Sequence, residues 1–244
     1  MLLPKRESHS VKMIGRTHPG LQRMRNEDAL RFDAEIGLAV LADGIGGLME
    51  GSQASKVAVE RIYDHLEQST AAVADDLHAA IESAHQAILQ ISAAKEMASK
   101  MGSTVVIWQQ TGDTWRAAWV GDSRLYLRQD GRLQQMSKDH SLAQRMLDSG
   151  EAEPGVDIEG HYGHVLTQGL GLRQALDPGF CSGECKRSDQ RFLLCSDGLS
   201  DMVAQDKISA ALELPDLEDA ADHLVARALD MGGRDNISLI LIEP

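Results

Sequence analysis

Apolar residues occur along the chain in two patterns, short extended runs and long helical stripes. The short runs are bounded by glycine, asparagine or aspartate and predict strands, at residues 10–17, 38–41, 104–109, 114–120, 124–128, 191–195 and 237–242. Tight turns join several of these runs, which favours antiparallel pairing. Apolar residues spaced three and four positions apart predict helices, at about 52–68, 72–95, 142–147 and 217–231.

The two long helices have apolar faces suited to packing on a sheet or on each other. Ser52 is the expected N-cap of the first, because a serine hydroxyl there accepts a hydrogen bond from the first turn. His78 and His85 lie in the second helix but off its apolar stripe. We expect both histidines to be solvated rather than to bind a metal.

Residues 137–171 lack a clear core face and include an acidic, glycine-containing loop. Long segments of this kind are often functional or mobile, so we expect a surface excursion here. No linker-like stretch divides the 244 residues, and we expect residues 1–244 to form one domain.

Four aspartates follow the same rule of placement. Asp43, Asp122, Asp197 and Asp235 each lie at the edge of an apolar strand, beside glycine or another small residue. Clustered carboxylates repel one another unless they share protons or bind cations. Proton sharing does not neutralise four of them, so the pattern predicts a two-metal hydrolytic site.

The segment 37–47 is central to this prediction, since three glycines follow Asp43 within four positions. Glycines let the backbone turn tightly, so that a carbonyl such as that of Gly44 can point beside the Asp43 carboxylate. Two adjacent hard oxygens suit Mg²⁺ or Mn²⁺.

Charge and cysteine content exclude several classes of function. The chain has 24 Lys+Arg against 37 Asp+Glu, a net charge of -13, which disfavours binding to nucleic acid or to an anionic membrane. Its three cysteines are too few and too irregularly spaced for a disulfide framework or structural zinc. No apolar segment has the length of a signal sequence core or a membrane span, so a cytoplasmic protein is expected.

Eight short motifs occur together in the order typical of one enzyme family. They are Arg23…Asn26-Glu27-Asp28, Asp43-Gly-Ile-Gly-Gly47, Gly102-Ser-Thr104, Gly121-Asp-Ser-Arg124, Asp139-His-Ser141, Leu166-Thr…Gly171, Ser196-Asp-Gly-Leu199 and Gly233-Arg-Asp-Asn236. In this order the chain resembles the PPM (protein phosphatase 2C-like) family of serine/threonine phosphatases, from about residue 12 to 242. Its small size and Ile45 resemble the bacterial, single-domain branch.

The resemblance implies an α+β fold, a four-layer α-β-β-α sandwich of two antiparallel sheets flanked by helices, with metals at one end. It implies that Asp43 bridges two metals and that the Gly44 carbonyl binds one of them. Asp197 and Asp235 would complete the shell of the other metal. Residues 137–171 match the flap beside the active site.

Further roles come from the same resemblance. Glu27 and Asp28 match an acidic pair that steadies the metals, often through water. Arg23 matches the phosphate-binding arginine, with Arg25 as its neighbour. Asp122 matches the ligand of a third, weaker metal, although a structural partnership with Arg124 is the alternative.

The implied reaction is hydrolysis of phosphoserine and phosphothreonine in proteins. Two Mn²⁺ or Mg²⁺ ions would lower the pKa of a bridging water, and the resulting hydroxide would attack phosphorus directly. The implied partners are phosphorylated proteins and a cognate bacterial Ser/Thr kinase, and a monomer is expected. Eukaryotic relatives carry a histidine, proposed as general acid, where this chain has Ile45, so the general acid is left open.

Two other functions are weighed against this one. Cys181 and Cys185 each lie six positions before an arginine, which is the spacing of cysteine-dependent phosphatases. Glu184 and Asp189 lie within these spacings and would repel an anion, and a strand follows where such a phosphatase has a helix, so an anion-binding loop is disfavoured. A catalytically silent module of the same fold that binds phosphoproteins is the second alternative, although no metal ligand is missing.

Overall fold

The computed structural model describes residues 11–46, 50–68, 74–94, 101–151, 156–185 and 189–244. Its strands are Lys12–His18 (β1), Ala29–Asp33 (β2), Leu38–Ala42 (β3), Gly44–Ile45 (β4), Gly102–Ser103 (β5), Val105–Thr111 (β6), Thr114–Val120 (β7), Arg124–Gln129 (β8), Arg132–Gln135 (β9), Gly179–Glu184 (β10), Arg191–Cys195 (β11) and Ile237–Glu243 (β12). Its helices are Glu50–Gln68 (α1), Ala74–Ala94 (α2), Leu142–Ser149 (α3), Ile158–Tyr162 (α4), Asp197–Ser200 (α5), Gln205–Ala211 (α6) and Leu217–Asp230 (α7).

The longer strands form two antiparallel sheets. One sheet has the order β1-β12-β11-β8-β9, the other β10-β7-β6-β3-β2, and β4 pairs with β5 beside them. Because β3 and β6–β7 belong to one sheet and β11–β12 to the other, the strand ends that carry the four aspartates come from both sheets.

Helices cover the outer face of each sheet. Alternate residues of β3 and β6, such as Val40 and Ile107, pack with α1 and α2 in one core, while Leu193 and Leu239 pack with α5–α7 in another. A third core lies between the sheets and includes Trp108, whose ring centroid is 5.3 Å from that of Phe192. Four layers result, and the predicted α-β-β-α sandwich is confirmed. Within the described residues, every helix is too short or too polar to cross a membrane.

Two predictions about the long helices are wrong. α1 begins at Glu50, so Ser52 lies inside the helix instead of capping it. His85 is 6% exposed and not solvated, and its Nδ1 accepts a hydrogen bond from the N–H of Gly171 at 3.1 Å. His78 is exposed, as expected.

Most of the strands and long helices lie within two residues of their predicted bounds. The strands β2, β9 and β10 were not predicted, because their residues are polar or only partly buried and carry little periodic signal. Gly47 of the glycine turn and Arg187 of the first cysteine spacing lie outside the described residues.

The segment 137–171, called the flap below, contains α3 and α4. The helix expected at 142–147 is confirmed as α3, which Ser141 caps by accepting a hydrogen bond from the N–H of Gln144. We predicted that residues 1–244 form one domain that includes the flap, and this stays a prediction.

Candidate metal centre

Asp43 follows the buried strand β3 directly, and hydroxyls of the neighbouring strand fix its backbone. Its N–H donates to Thr104 Oγ1 at 2.9 Å, and its carbonyl accepts from Ser103 Oγ at 2.8 Å and from the N–H of Thr104 at 2.9 Å. With both peptide groups held, the Asp43 side chain is left to face the interior of the site.

A gap beside Gly44 brings two further oxygens together. An added Cβ on Gly51 would lie 2.3 Å from Glu27 Oε2 and 3.0 Å from Gly44 O. Both oxygens therefore reach the same small space, which exists because Gly51, in the first turn of α1, has no side chain. A carboxylate and a carbonyl oxygen in this arrangement suit a hard divalent cation.

Asp28 lies behind Asp43 and is 7% exposed. Its Oδ2 accepts a hydrogen bond from Ser196 Oγ at 2.9 Å, while its Oδ1 is buried without a partner among the described residues. Burial raises the pKa of Asp28 above its ordinary value, although hydrogen bonds from Ser238 and Ser196 oppose the shift. The two members of the predicted acidic pair thus differ in position: Glu27 lines the cavity, whereas Asp28 is buried beside Asp43.

Asp197 and Asp235 come together through a close backbone contact. Asp197 is the first residue of α5, and an added Cβ on the next residue, Gly198, would lie 2.0 Å from Asn236 O. Only glycine allows this approach of α5 to the loop before β12. Asp197 Oδ1 is buried and has no hydrogen-bond partner among the described residues.

Asn236 connects this loop to the segment that carries Arg23. Its Nδ2 donates to the carbonyls of Pro19 and Arg25 at 2.9 and 2.8 Å, and its Oδ1 accepts from the N–H of Glu27 at 2.8 Å. One side chain thereby places the loop 19–27 against Asp235.

The two arginines of this loop have different surroundings. Arg23 Nη2 lies 2.6 Å from Asp235 Oδ2, and hydrogen bonding to Asp235 raises the Arg23 pKa despite partial burial. Arg25 lies in the same cleft as Arg23, and its backbone carbonyl accepts a hydrogen bond from Asn236.

The charge of the site favours cation binding. Burial raises the pKa of Asp43 well above its ordinary value, as do the charges of Asp28, Asp197, Asp122 and Asp235. Burial and the neighbouring acids raise the pKa of Asp197 in the same way. Within the described ranges, no three acidic, histidine or cysteine side chains already converge on one point as a closed ligand set. The donors nevertheless fit divalent cations, since buried oxygens without partners and mutually repelling carboxylates are what such ions stabilise.

Asp122 is linked to Asp43 through two hydroxyls. Thr104 Oγ1, which accepts from the Asp43 N–H, lies 2.7 Å from the hydroxyl of Ser123, the residue after Asp122. Burial and the charge of Asp139 raise the pKa of Asp122 to about 7.

Arg124 forms its ion pairs with residues other than Asp122. Its Nη2 lies 2.6 Å from Asp139 Oδ2 and 3.5 Å from Glu159 Oε1 in the flap. These ion pairs take up part of the Arg124 guanidinium, whose charge also acts to lower the pKa of Asp122. The metal-binding and the structural roles of Asp122 both stay predictions.

Two adjoining cavities open at this end of the sandwich. The first, of about 520 Å³ and called the catalytic cavity below, is lined by Arg23, Arg25, Glu27, Asp43, Gly44, Ile45, Asp122, Leu166, Asp197 and Asp235, among others. The second, of about 480 Å³, lies towards the flap and is lined by Arg124, Asp139, Glu159, Asp201 and Arg234, among others. Both are also lined by His164, and they share Asp122, Asp197 and Asp235, so they form one continuous cleft.

The structure brings seven of the eight predicted site residues to this cleft and puts Asp28 just behind it. Their individual roles stay predictions. Sequence reasoning missed the polar residues that hold the acids in place, namely Ser103, Thr104, His140, Ser196 and Asn236. All five belong to the motifs quoted above, so motif membership could have singled them out. The role of a polar side chain, however, cannot be inferred before its hydrogen-bond partners are known.

Cys181 lies in the middle of β10, which pairs with β7, and its side chain packs against the core between the sheets. Burial raises the pKa of its thiol to about 11. A cysteine-dependent phosphatase needs a lowered thiol pKa in an anion-binding loop, so this alternative is wrong for Cys181. Cys185 also packs against the core between the sheets.

A family model described as protein phosphatase 2C matches residues 14–226. The chain belongs to this family. Its relatives in the 2C family include the serine/threonine protein phosphatase PstP of Mycobacterium tuberculosis, 31% identical over 96% of this chain and 45% of PstP. The chain thus spans about half the length of that relative. The serine/threonine phosphatase stp of Listeria monocytogenes is 30% identical, over 93% of this chain and 94% of stp.

Solved structures of the 2C family have the same fold. The catalytic domain of PstP, solved in complex with two manganese ions, superposes with a TM-score of 0.85 at 31% identity, covering 96% of this chain and 98% of that domain. That relative therefore binds two metal ions on a fold that this chain shares over nearly all of its length.

Proposed function

We propose that this chain hydrolyses phosphoserine and phosphothreonine in proteins with the help of two Mn²⁺ or Mg²⁺ ions. The observation that carries the proposal is the cleft in which carboxylates from the ends of both sheets share one cavity with Arg23. Membership of the 2C family and the named phosphatases among its relatives support the same reaction. Its partners would be phosphorylated proteins and a cognate Ser/Thr kinase, and we expect a cytoplasmic monomer.

The residues divide into metal-binding and phosphate-binding groups. Asp43, the Gly44 carbonyl, Asp197 and Asp235 would hold the two ions, and Asp122 would bind a third and weaker one. When bound, the ions supply Lewis-acid activation of water and neutralise charge on the phosphate.

The acidic pair differs in the support that each member gives. Glu27, which shares the space at Gly51 with the Gly44 carbonyl, would steady the ion that this carbonyl binds. Asp28 would orient Asp43, because it is buried and held by Ser196.

Arg23 would bind the phosphoryl oxygens of the substrate. Its guanidinium lies at the cavity wall with more than half of the side chain exposed, so it can exchange Asp235 for a phosphate. Planar bidentate hydrogen bonding makes arginine suited to that task, and the contact would strengthen as charge develops in the transition state.

The leaving alkoxide must be protonated by a group other than residue 45. Ile45 lines the catalytic cavity and has no proton to donate.

Metal-dependent hydrolysis of p-nitrophenyl phosphate and of a phosphothreonine peptide tests the proposal. We expect turnover with Mn²⁺, none after EDTA treatment, and recovery when Mn²⁺ is returned. Asp43→Asn is the matched control, since it keeps the shape of the side chain and removes the charge. A folded wild-type protein that binds phosphopeptide but hydrolyses neither substrate with Mn²⁺ or Mg²⁺ would support the silent binding module instead.

A further inference from the structure

His140, at the start of the flap, holds the peptide groups on both sides of Gly121. Its backbone N–H donates to Gly121 O at 2.9 Å, and its ring Nδ1 accepts from the N–H of Gly121 at 3.3 Å. The carbonyl of Gly121 belongs to the peptide group that leads into Asp122. A shift of His140 would therefore move the peptide group from which Asp122 extends.

Gly121 also packs closely against Thr104. Its φ is +103°, and an added Cβ would lie 2.7 Å from Thr104 Cβ, so its backbone lies directly against that side chain. Thr104 in turn accepts from the Asp43 N–H and contacts the Ser123 hydroxyl. A shift of Gly121 would thus reach the acids on both sides of Thr104.

The same histidine belongs to the root of the flap, here residues 140–142 and 165–167. His140 O accepts from the N–H of Thr167 at 2.8 Å, and the N–H of Leu142 donates to Val165 O at 2.7 Å. Ser141 and Leu166 form the bridge between them, and Leu166 lines the catalytic cavity. The root is therefore a short antiparallel pair that ends at Gly121 on one side and in the cavity on the other.

We propose that His140 is a positioning residue that couples the root of the flap to Asp122. The proposal rests on the proposed function, in which Asp122 binds the weaker metal ion. Movement of the flap root would turn the Asp122 carboxylate and change the affinity for that ion. Binding of the ion would stabilise the flap root by the same free energy, because coupling between two sites is reciprocal.

His85 provides a matched control at the other end of the flap. Its Nδ1 accepts from the N–H of Gly171, just as His140 accepts from Gly121, and burial lowers the pKa of both histidines. Gly171 is connected through Leu170 to Ser103, and among the backbone hydrogen bonds of the described residues none joins it to Gly121. If the weaker Mn²⁺ site depended only on an anchored flap, replacing either histidine would weaken it. If it depends on the position of Asp122, only replacing His140 would weaken it.

The experiment compares His140→Leu, His140→Asn and His85→Leu with the wild type. Leucine removes the ring acceptor, and asparagine offers an amide oxygen near the position of Nδ1. Calorimetric titration with Mn²⁺ measures the weaker binding phase, and hydrogen exchange measures the protection of the Gly121 amide.

In His140→Leu we expect the weaker Mn²⁺ affinity, the protection of the Gly121 amide and kcat each to fall about tenfold, the effect of one lost buried hydrogen bond. The two tight Mn²⁺ sites should remain. His140→Asn should recover most of each loss, and His85→Leu should leave the weaker phase unchanged. An intact weaker phase in folded His140→Leu, no recovery in His140→Asn, or an equal loss in His85→Leu would overturn the proposal.

A measurement on the wild type alone keeps the test valid if His140→Leu does not fold. Mn²⁺ at concentrations that fill the weaker site should slow exchange of the Gly121 and Thr167 amides and leave that of Gly171 unchanged. Unresponsive Gly121 and Thr167 amides would contradict the coupling. This readout needs no turnover, so it remains decisive if the wild type hydrolyses no phosphoester and the proposed function fails.

Discussion

Arg23 Nη2 lies 2.6 Å from Asp235 Oδ2, which pairs the residue expected to bind phosphate with a residue expected to bind metal. A guanidinium and a divalent cation are alternative partners for the same carboxylate. The pair therefore links phosphate binding to the charge of the metal centre, and this link leads to the first two predictions.

Arg23→Ala should raise the inhibition constant of inorganic phosphate about three- to tenfold, since an exposed charge-assisted hydrogen bond is worth about 0.7–1.4 kcal/mol. Arg25→Ala should change it less than about twofold, within the range of an exposed surface charge. Competition assays at fixed Mn²⁺ measure both constants. A larger effect at Arg25 would assign the phosphate to the other arginine.

The same Arg23→Ala variant should bind Mn²⁺ at least as tightly as the wild type. Removal of the guanidinium takes away a positive charge and a competitor for Asp235. Calorimetry at low ionic strength, where charge interactions are least screened, tests the direction. Clearly weaker Mn²⁺ binding would mean that Arg23 supports the site instead of competing for it.

Asparagine in place of Asp43, Asp197 or Asp235 should lower Mn²⁺-dependent turnover by more than about a hundredfold. Changes in the outer shell of a metal already cost about 10–100-fold, and these residues would be the ligands themselves. Melting curves in EDTA should show a fold that is retained or stabilised, because burial and neighbouring acids raise the pKa of Asp43 and Asp197 and each loses a repulsive charge. Wild-type turnover in a folded Asp43→Asn protein would refute its assignment.

Asp122 should make the stability of the metal-free protein depend on pH. Its pKa is raised to about 7 in the fold, so its contribution to stability is complete below its unfolded pKa and is lost as the pH rises through 7. Asp122→Asn removes this loss. Its melting temperature in EDTA should therefore exceed that of the wild type by a margin that grows with pH up to about 7 and is constant above it.

Addition of Mn²⁺ supplies the control for that series. A proton and a cation compete for Asp122, so the weaker Mn²⁺ affinity of the wild type should rise with pH through about 7. Asp122→Asn should lack this phase. A pH-independent margin in EDTA would contradict the raised pKa, and an unaltered weaker phase would remove Asp122 as a ligand.

Asn236→Ala should destabilise the fold by about 2–3 kcal/mol, because a buried side chain loses three hydrogen bonds of about 1 kcal/mol each. Urea unfolding in EDTA measures the free energy without a contribution from metal. Asn236→Asp separates donor from acceptor, since it keeps the acceptor for Glu27 and loses both donors to the carbonyls of Pro19 and Arg25. We expect the aspartate variant to be destabilised as well, and wild-type stability would show that the loop 19–27 is held by other contacts.

The acids and their strands were readable from the sequence because both signals are local. A run such as 38–41 is apolar throughout, as a strand buried on both faces must be, and the acid and glycines that follow mark where it ends. Motif order added the family and with it the sandwich. The meeting of Asp43, Asp197 and Asp235 at one cleft was thus predictable from residue type and position, and their roles as metal ligands stay predictions.

The partners of these residues were decided only by tertiary structure, because each contact joins distant parts of the chain. Asn236 meets Pro19 and Glu27 more than two hundred positions away, and His85 contacts the end of the flap, where Gly171 donates to its ring. Periodicity describes one element at a time and assigned His85 to solvent for that reason. The sequence by itself determined which atoms could bind metal and phosphate, whereas packing of the two sheets, the loop 19–27 and the flap determined which of them meet.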